Sequence, residues 1–204
     1  FATAERVMKI VNDASHEESE AVAQQKGVFP HWEKSIFGPH GQNRLQRNAA
    51  LTTVAPTGSI SMLLDCSSGI EPFFALAYFK ENIMGGDSLT YFNKYFEAEL
   101  KRLGLYTKEL VDDVVKTGSI QHRTDLPEDV RHTFVTAMDI SAEDHIRMQA
   151  AFQKHVDNSI SKTINFKNSA TRDDVRNGYI MAWELGCKGG TVYRDGSRQE
   201  KVLS

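Results

Sequence analysis

Apolar positions recur along this chain with two periods, and the changes of period mark its elements. Val7, Met8, Ile10 and Val11 sit at helical spacing, which predicts an amphipathic helix over 1–14. Ser15-His16-Glu17-Glu18 has the form of a capping box, so a second helix is expected from Ser15 to Lys26, ended by Gly27. Phe29-Pro30-His31-Trp32 begins an irregular stretch, and 35–41, with Gly38, Pro39 and Gly41, is a loop. The apolar run Ala49-Ala50-Leu51-Thr52-Thr53-Val54 reads as a buried strand, and Met62-Leu63-Leu64 as the first turn of a helix. The segment 73–79 is apolar and aromatic and is expected to be a strand, with Gly85-Gly86 at a loop tip.

Helical period then dominates. Phe92, Tyr95, Phe96, Leu100 and Leu103 predict a helix over 91–103, stopped by Gly104, with its aromatics in the core. Leu110, Val111, Val114 and Val115 predict another over 107–116, and 127–133 forms a short charged one. Ser141-Ala142-Glu143-Asp144 starts a helix carrying Ile146, Met148, Ala151, Phe152 and Val156. The period switches to two over 158–166, which predicts a strand with Ile160, Ile164 and Phe166 on one face. A last helix starts at Thr171-Arg172-Asp173-Asp174, carries Val175, Tyr179, Ile180, Ala182, Trp183 and Leu185, and stops at Gly186. The run 189–194 is a short strand turned by Asp195-Gly196. Strand, helix and strand in that order argue for parallel pairing and an α/β fold, as an open sheet or part of a barrel.

The chemistry concentrates at Ala55-Pro56-Thr57-Gly58-Ser59-Ile60-Ser61, where the apolar run meets the helix start. A helix start presents backbone N–H groups without intrahelical partners. Gly58 has no Cβ to keep an anion from the backbone, and Thr57, Ser59 and Ser61 add hydroxyl groups. Two readings stand for these residues: a capped strand–turn–helix junction, or a cradle for phosphate. It is not a Walker A loop, because no Gly-Lys-Ser/Thr follows. Arg44 and Arg47 precede the apolar run, either as neutralising charges for a phosphate, or on a solvated face or in surface salt bridges.

Composition narrows the partners. With 24 Lys and Arg against 27 Asp and Glu, the net charge of −3 offers no broad basic surface for nucleic acid. No apolar run reaches the ~20 residues of a membrane span, and Phe1 opens an amphipathic pattern rather than a signal peptide. A cytoplasmic protein is expected. The chain opens on Phe1 rather than Met, which fits a processed product or an excised fragment. Cys66 and Cys187 form no disulfide framework or metal-ligand cluster, and each is expected to be a small buried hydrophobe.

Four runs together resemble one family. They are residues 55–61; Ser67-Ser68-Gly69-Ile70-Glu71-Pro72; Asp157-Asn158-Ser159-Ile160-Ser161-Lys162-Thr163-Ile164-Asn165-Phe166; and Gly186-Cys187-Lys188-Gly189-Gly190-Thr191-Val192-Tyr193-Arg194-Asp195-Gly196-Ser197-Arg198. In this order they resemble the C-terminal part of the catalytic barrel of ribonucleotide reductase, most closely the adenosylcobalamin-dependent class II enzymes. The resemblance implies a ten-stranded α/β barrel of two antiparallel five-stranded halves. Residues 1–204 would be its C-terminal segment. It implies reduction of ribonucleotides to 2′-deoxyribonucleotides by thiyl-radical chemistry, with adenosylcobalamin as cofactor. It implies a homodimeric intact enzyme, a missing N-terminal part of the barrel, and a dithiol reductant such as thioredoxin. Pro56, Thr57, Gly58, Ser59, Ile60 and Ser61 would hold the substrate phosphates.

The departures also inform. The family's finger loop, an Asn-Leu-Cys-x-Glu type of sequence, has no counterpart here, and Cys66 and Cys187 lie outside the positions of the reactive cysteines. No catalytic residue is therefore assigned, and this chain alone is expected not to catalyse. Class I enzymes carry adjacent tyrosines on the last barrel strand as a radical relay. The matching run here is Val192-Tyr193-Arg194, with one tyrosine, which favours a radical made in place by adenosylcobalamin. Tyr193 is accordingly placed near the active site, or is a half-buried strand aromatic. Arg194 either faces the barrel interior or pairs with Asp195. The alternatives are the large subunit of a metal-dependent class I enzyme, and a non-catalytic phosphate- or nucleotide-binding domain.

Overall fold

The computed structural model describes residues 1–83 and 87–197, in two compact units. The first comprises Phe1–Pro56, Ile146–Lys162 and Arg176–Thr191, and the second Thr57–His145, Thr163–Val175 and Val192–Ser204. The expected loop tip at Gly85-Gly86 lies outside the described residues. No described helix is long and apolar enough to cross a membrane.

The first unit is organised on α1 (Ala2–Lys26), a single helix where two were expected. Nothing between Ala2 and Lys26 breaks it, since no Pro or Gly intervenes. The Ser15 hydroxyl donates to Val11 O one turn back (2.7 Å), so it is used within the helix instead of capping a new one. The buried line is Met8, His16, Ser19 and Ala23, while Val7, Ile10 and Val11 are exposed. Gly27 ends the helix, its N–H reaching Ala23 O.

Residues 49–54 do not form the expected strand. They run extended with one parallel bridge, Val54 to Ile160. The buried member of the run is Thr52, because the segment is fastened by polar bonds. Asp157 accepts from Leu51 N–H (2.7 Å), and Thr52 O accepts from Asn158 N–H (3.0 Å). Arg44 pairs with Glu20 (3.1 Å), the salt-bridge reading of that residue, whereas Arg47 donates to the main-chain carbonyl of Val28 (3.4 Å).

The second unit holds α2 (Gly58–Leu64), the antiparallel hairpin β1 (Ala77–Ile83) and β2 (Asp87–Phe92), and α3 (Lys94–Leu103), α4 (Lys108–Thr117) and α5 (Glu128–Thr133). Its core is Leu76, Phe96, Leu100, Leu110, Val114 and Ile120 with their neighbours. Phe96 and Leu100 are one turn apart, so one face of α3 enters that core. The helix expected from residue 91 begins at Lys94, since Asn93 caps it by accepting from Tyr95 N–H (3.1 Å) and Phe96 N–H (3.0 Å). Tyr91 and Phe92 belong to β2 instead. The strand expected over 73–79 starts at Ala77, with Ala137 N–H bonded to Phe73 O (2.9 Å) ahead of it.

Two helices run through both units, α6 (Ala142–Gln153) and α7 (Arg172–Glu184). On α7, Gly178 and Ala182 are buried, whereas Tyr179, Ile180, Trp183 and Leu185 are exposed. The strand expected over 158–166 is shorter, β3 (Thr163–Phe166), and pairs with β4 (Thr191–Arg194) in a two-stranded sheet. Ile164, Asn165 and Phe166 are buried consecutively, so period two does not hold through it. The expected small buried thiols are corrected too: Cys66 is exposed and Cys187 half-buried. Cys66 directly follows Asp65, the left-handed residue that ends α2, and this lifts it out of the helix. Burial pushes the Cys187 thiol up.

Candidate functional site

The sequence predicts strand, turn and helix here with Met62-Leu63-Leu64 as the first helical turn; the strand is absent and α2 begins at Gly58, so 62–64 is its last turn, because the small residues 58–61 are themselves helical. The N-cap, Thr57, has φ 48°, ψ 20°, a left-handed conformation that a β-branched residue rarely adopts. Such strain persists only where neighbours impose it, and it clusters at ligand sites. Here the Thr57 Oγ1 accepts from Gly69 N–H (2.9 Å), so the side chain is turned onto the 67–69 turn and makes no cap bond. The first intrahelical bond is Ser61 N–H to Thr57 O (3.0 Å). The amides of Gly58, Ser59 and Ile60 therefore start the helix without an intrahelical acceptor or a side-chain cap.

Gly58 itself is exposed. A Cβ built on it meets nothing within 4 Å, and its φ is not in the left-handed region. Neither packing nor backbone geometry within this chain requires glycine there, which leaves open access to the backbone as what glycine provides. Ser59 and Ile60 are exposed as well. Ser61 is buried and its hydroxyl donates to Gly58 O (2.8 Å), so its proton is engaged inside the turn and is not presented outward. Pro56 is exposed, ends the first segment of the first unit, and has no N–H to give.

The structure links the runs that stand apart in sequence. Thr57 joins the second run through Gly69. Glu71 joins the third, its Oε1 accepting from Thr163 N–H (3.0 Å) and Thr163 Oγ1–H (3.3 Å). Phe74 meets Tyr193 of the fourth edge to face, with ring centroids 6.1 Å apart. Phe166 O accepts from Asp195 N–H (2.9 Å). Tyr193 is half-buried on β4, as the strand-aromatic reading has it. The Arg194 guanidinium donates to Ala170 O (2.8 Å) and to Asn168 O, which fastens the turn after β3.

One cluster beside α2 was not found from sequence. Asp65 ends the helix, and its carboxylate accepts from the Tyr91 hydroxyl (2.7 Å) and pairs with Lys94 Nζ (2.7 Å). The Lys94 ammonium, then the Tyr91 hydroxyl, hold the Asp65 carboxyl below the usual carboxylate range. Burial, then the Asp65 bond and charge, push the Tyr91 phenol up. Tyr91 stacks on Tyr78 at 4.7 Å. No periodicity joins residues 65, 78, 91 and 94; the hairpin does. Among the described residues no group of three or more His, Cys, Asp or Glu is arranged to hold a metal.

The model of the ribonucleotide reductase barrel domain matches residues 40–193. This chain belongs to that family. A vitamin B12-dependent ribonucleoside-diphosphate reductase of Thermoplasma acidophilum is 44% identical over 200 residues, covering 98% of this chain and 26% of the relative. One from Mycobacterium tuberculosis is 41% identical over 201 residues, covering 98% and 28%. Among solved structures, the Actinobacillus ureae class Id ribonucleotide reductase alpha subunit superposes with a TM-score of 0.75 at 27% identity, over 96% of this chain and 34% of that one. The chain thus spans about a quarter of the length of these curated relatives. Family membership bears out the barrel-domain resemblance; within the described residues the strands form two separate two-stranded sheets.

Proposed function

We propose that this chain is the C-terminal segment, 1–204, of the ten-stranded catalytic barrel of an adenosylcobalamin-dependent ribonucleotide reductase, and that its 57–61 loop seats the substrate phosphates. The observation that carries the loop assignment is Gly58, open on the side a Cβ would occupy and free of any packing need for glycine. The amides of Gly58, Ser59 and Ile60 and the Ser59 hydroxyl donate to phosphate oxygens. Thr57 orients the loop through Gly69, and Ser61 holds the turn closed on Gly58 O. Pro56 and the Ile60 side chain border the seat and donate nothing to it.

The reaction converts a ribonucleotide and a dithiol to a 2′-deoxyribonucleotide, a disulfide and water. A cysteine thiyl on another part of the enzyme removes the ribose 3′-hydrogen, and a cysteine pair supplies the two electrons. Adenosylcobalamin, when bound, supplies the radical by cleavage of its cobalt–carbon bond. This chain bears on that choice at one place: β4 offers a single phenol, Tyr193, between Val192 and Arg194, and Arg194 is engaged with main-chain carbonyls. A lone phenol fits a radical made in place better than one relayed through adjacent tyrosines. The B12-dependent names of the relatives at 44% and 41% identity support the same reading. The partners are the ribonucleotide, the N-terminal part of the barrel, a second copy of the enzyme and a dithiol such as thioredoxin, in the cytoplasm.

The test is deoxyribonucleotide formation by the complete polypeptide carrying these residues, with a dithiol, with and without adenosylcobalamin. Activity that depends on the cobalamin is expected. A requirement for a separate metal-bearing subunit instead would assign the chain to class I, and inactivity in both would favour a phosphate-binding module. At the loop, Ser59→Ala is expected to weaken substrate binding by about 1 kcal/mol, the net worth of one neutral hydrogen bond. Competition by inorganic diphosphate measures it.

A further inference from the structure

We infer that Asp65 is a positioning residue for the phosphate loop: it ties the C-terminal end of α2 to β2 and α3 and thereby sets where the amides of Gly58, Ser59 and Ile60 point. The inference rests on the phosphate-seat reading of that loop.

Apolar packing within the unit does not position α2. Of its seven residues only Ser61 is buried, and Ile60, Met62, Leu63 and Leu64 are exposed, Leu63 at 84%. Polar pins at the two ends hold it instead. At the start the pin is Thr57 on Gly69. At the end it is Asp65, in a left-handed conformation (φ 50°, ψ 55°), with one carboxylate oxygen on the Tyr91 hydroxyl and the other on Lys94 Nζ. Both anchors stand on the unit's packed part. Tyr91 is on β2, stacked on Tyr78. Lys94 is the first residue of α3, whose N-cap Asn93 and core residues Phe96 and Leu100 are all buried.

Leverage makes the far pin matter. A helix of this length is about 10 Å long, so a tilt of roughly 10° about one end moves the other by ~2 Å. Donors aimed at a phosphate have a window of about 0.5 Å. A carboxylate suits the place because both its oxygens accept, one from a phenol and one from an ammonium. An amide would present its NH2 to one of two donors.

The experiment is steady-state reduction by the complete polypeptide, reading KM and kcat separately, with inorganic diphosphate as competing probe. Asp65→Asn is expected to raise KM and the diphosphate inhibition constant by roughly tenfold, the scale of one lost charge-assisted hydrogen bond. With kcat held within about twofold, the loss is one of uniform binding. Asp65→Glu should recover part of the affinity. Tyr91→Phe and Lys94→Met, which leave the carboxylate in place, should each raise KM, and they decide the matter if Asp65→Asn fails to fold. Unchanged KM across these variants, or a fall in kcat alone, overturns the positioning role. Gly58→Val separates the two readings. If it raises KM while the Asp65, Tyr91 and Lys94 variants do not, the clamp alone fails; if it too leaves KM unchanged, the phosphate seat fails and the clamp with it.

Discussion

Gly58→Val raises the KM for ribonucleotide on the order of 100-fold in the complete enzyme, as for two lost hydrogen bonds to a charged group. On the proposed phosphate seat, the branched side chain fills the space through which a phosphate would reach the amides of Gly58 and Ser59. The same space makes the variant interpretable. A Cβ at Gly58 touches nothing within 4 Å, and φ there is not in the left-handed region, so a side chain can start from this position without steric or backbone strain. Melting is expected to shift little, because an exposed helix-start position changes stability by only a few tenths of a kcal/mol to about 1 kcal/mol. Gly196 is the useful contrast. Its φ is 73° and a Cβ would lie 2.4 Å from Asn168 Nδ2, so substitution there disturbs the turn after β4 whatever the ligand. A KM for Gly58→Val equal to that of the parent, with the protein folded, would remove the loop from the substrate site.

Helices α3 and α4 were legible in sequence because each carries its own stop and its own buried stripe. Gly104 and Gly118 end α3 and α4, and Phe96, Leu100, Leu110 and Val114 recur at helical spacing on faces that enter one core. Thr107 caps α4 by accepting from Leu110 N–H (3.2 Å), a local bond that spacing reveals. The strands were harder, since pairing is decided by residues distant in sequence. The apolar run at 49–54 reads as a strand but meets a single bridge, its backbone donors being taken by a side chain 105 and 106 residues away. The alternation over 158–166 holds in burial from Ile160 through Lys162 to Ile164, on the face expected, and breaks at Asn165, which is buried between Ile164 and Phe166. The capping box at Ser15 failed because the same residue types serve inside a helix when nothing breaks it.

The loop we propose as a phosphate seat stands out in sequence because its chemistry is contiguous: small residues and hydroxyls at a helix start. The structure changed the roles within it. Ser61, expected as an outward donor, bonds to Gly58 O, and Thr57 is turned to Gly69. What holds the loop was not legible. Asp65 meets Tyr91 and Lys94, and Glu71 meets Thr163, through bonds spanning 26, 29 and 92 residues for which no local pattern exists.

Asp157→Ala is expected to destabilise the folded chain by about 2 kcal/mol, the scale of leaving the partners of a half-buried carboxylate unsatisfied. The carboxylate of Asp157 gathers the first unit. It accepts from Leu51 N–H (2.7 Å), from Asn12 Nδ2 (3.2 Å) and from His16 Nε2 (3.2 Å). His16 in turn lies 3.0 Å from Gln46 Oε1, whose amide nitrogen donates to His16 O (3.2 Å). Truncation leaves a backbone N–H, an amide and a ring nitrogen facing a void with nothing to accept from them. Asp157→Asn keeps the volume but places an NH2 against donors, and is expected to cost nearly as much. Burial acts to raise the Asp157 carboxyl, but the bonds from Leu51, His16 and Asn12 outweigh it and leave it below the ordinary value. A folded-state value below that of the unfolded chain, about 3.9, means the unfolded state binds the proton more readily. The stabilisation is therefore fully present above about pH 4 and is lost as pH falls through the folded-state value. In urea titrations the gap between the parent protein and Asp157→Asn should be constant near neutrality and narrow in acid. A gap that stays below ~0.5 kcal/mol at pH 7, the scale of an ordinary surface substitution, would show that the 46–54 segment is held on α1 by other bonds.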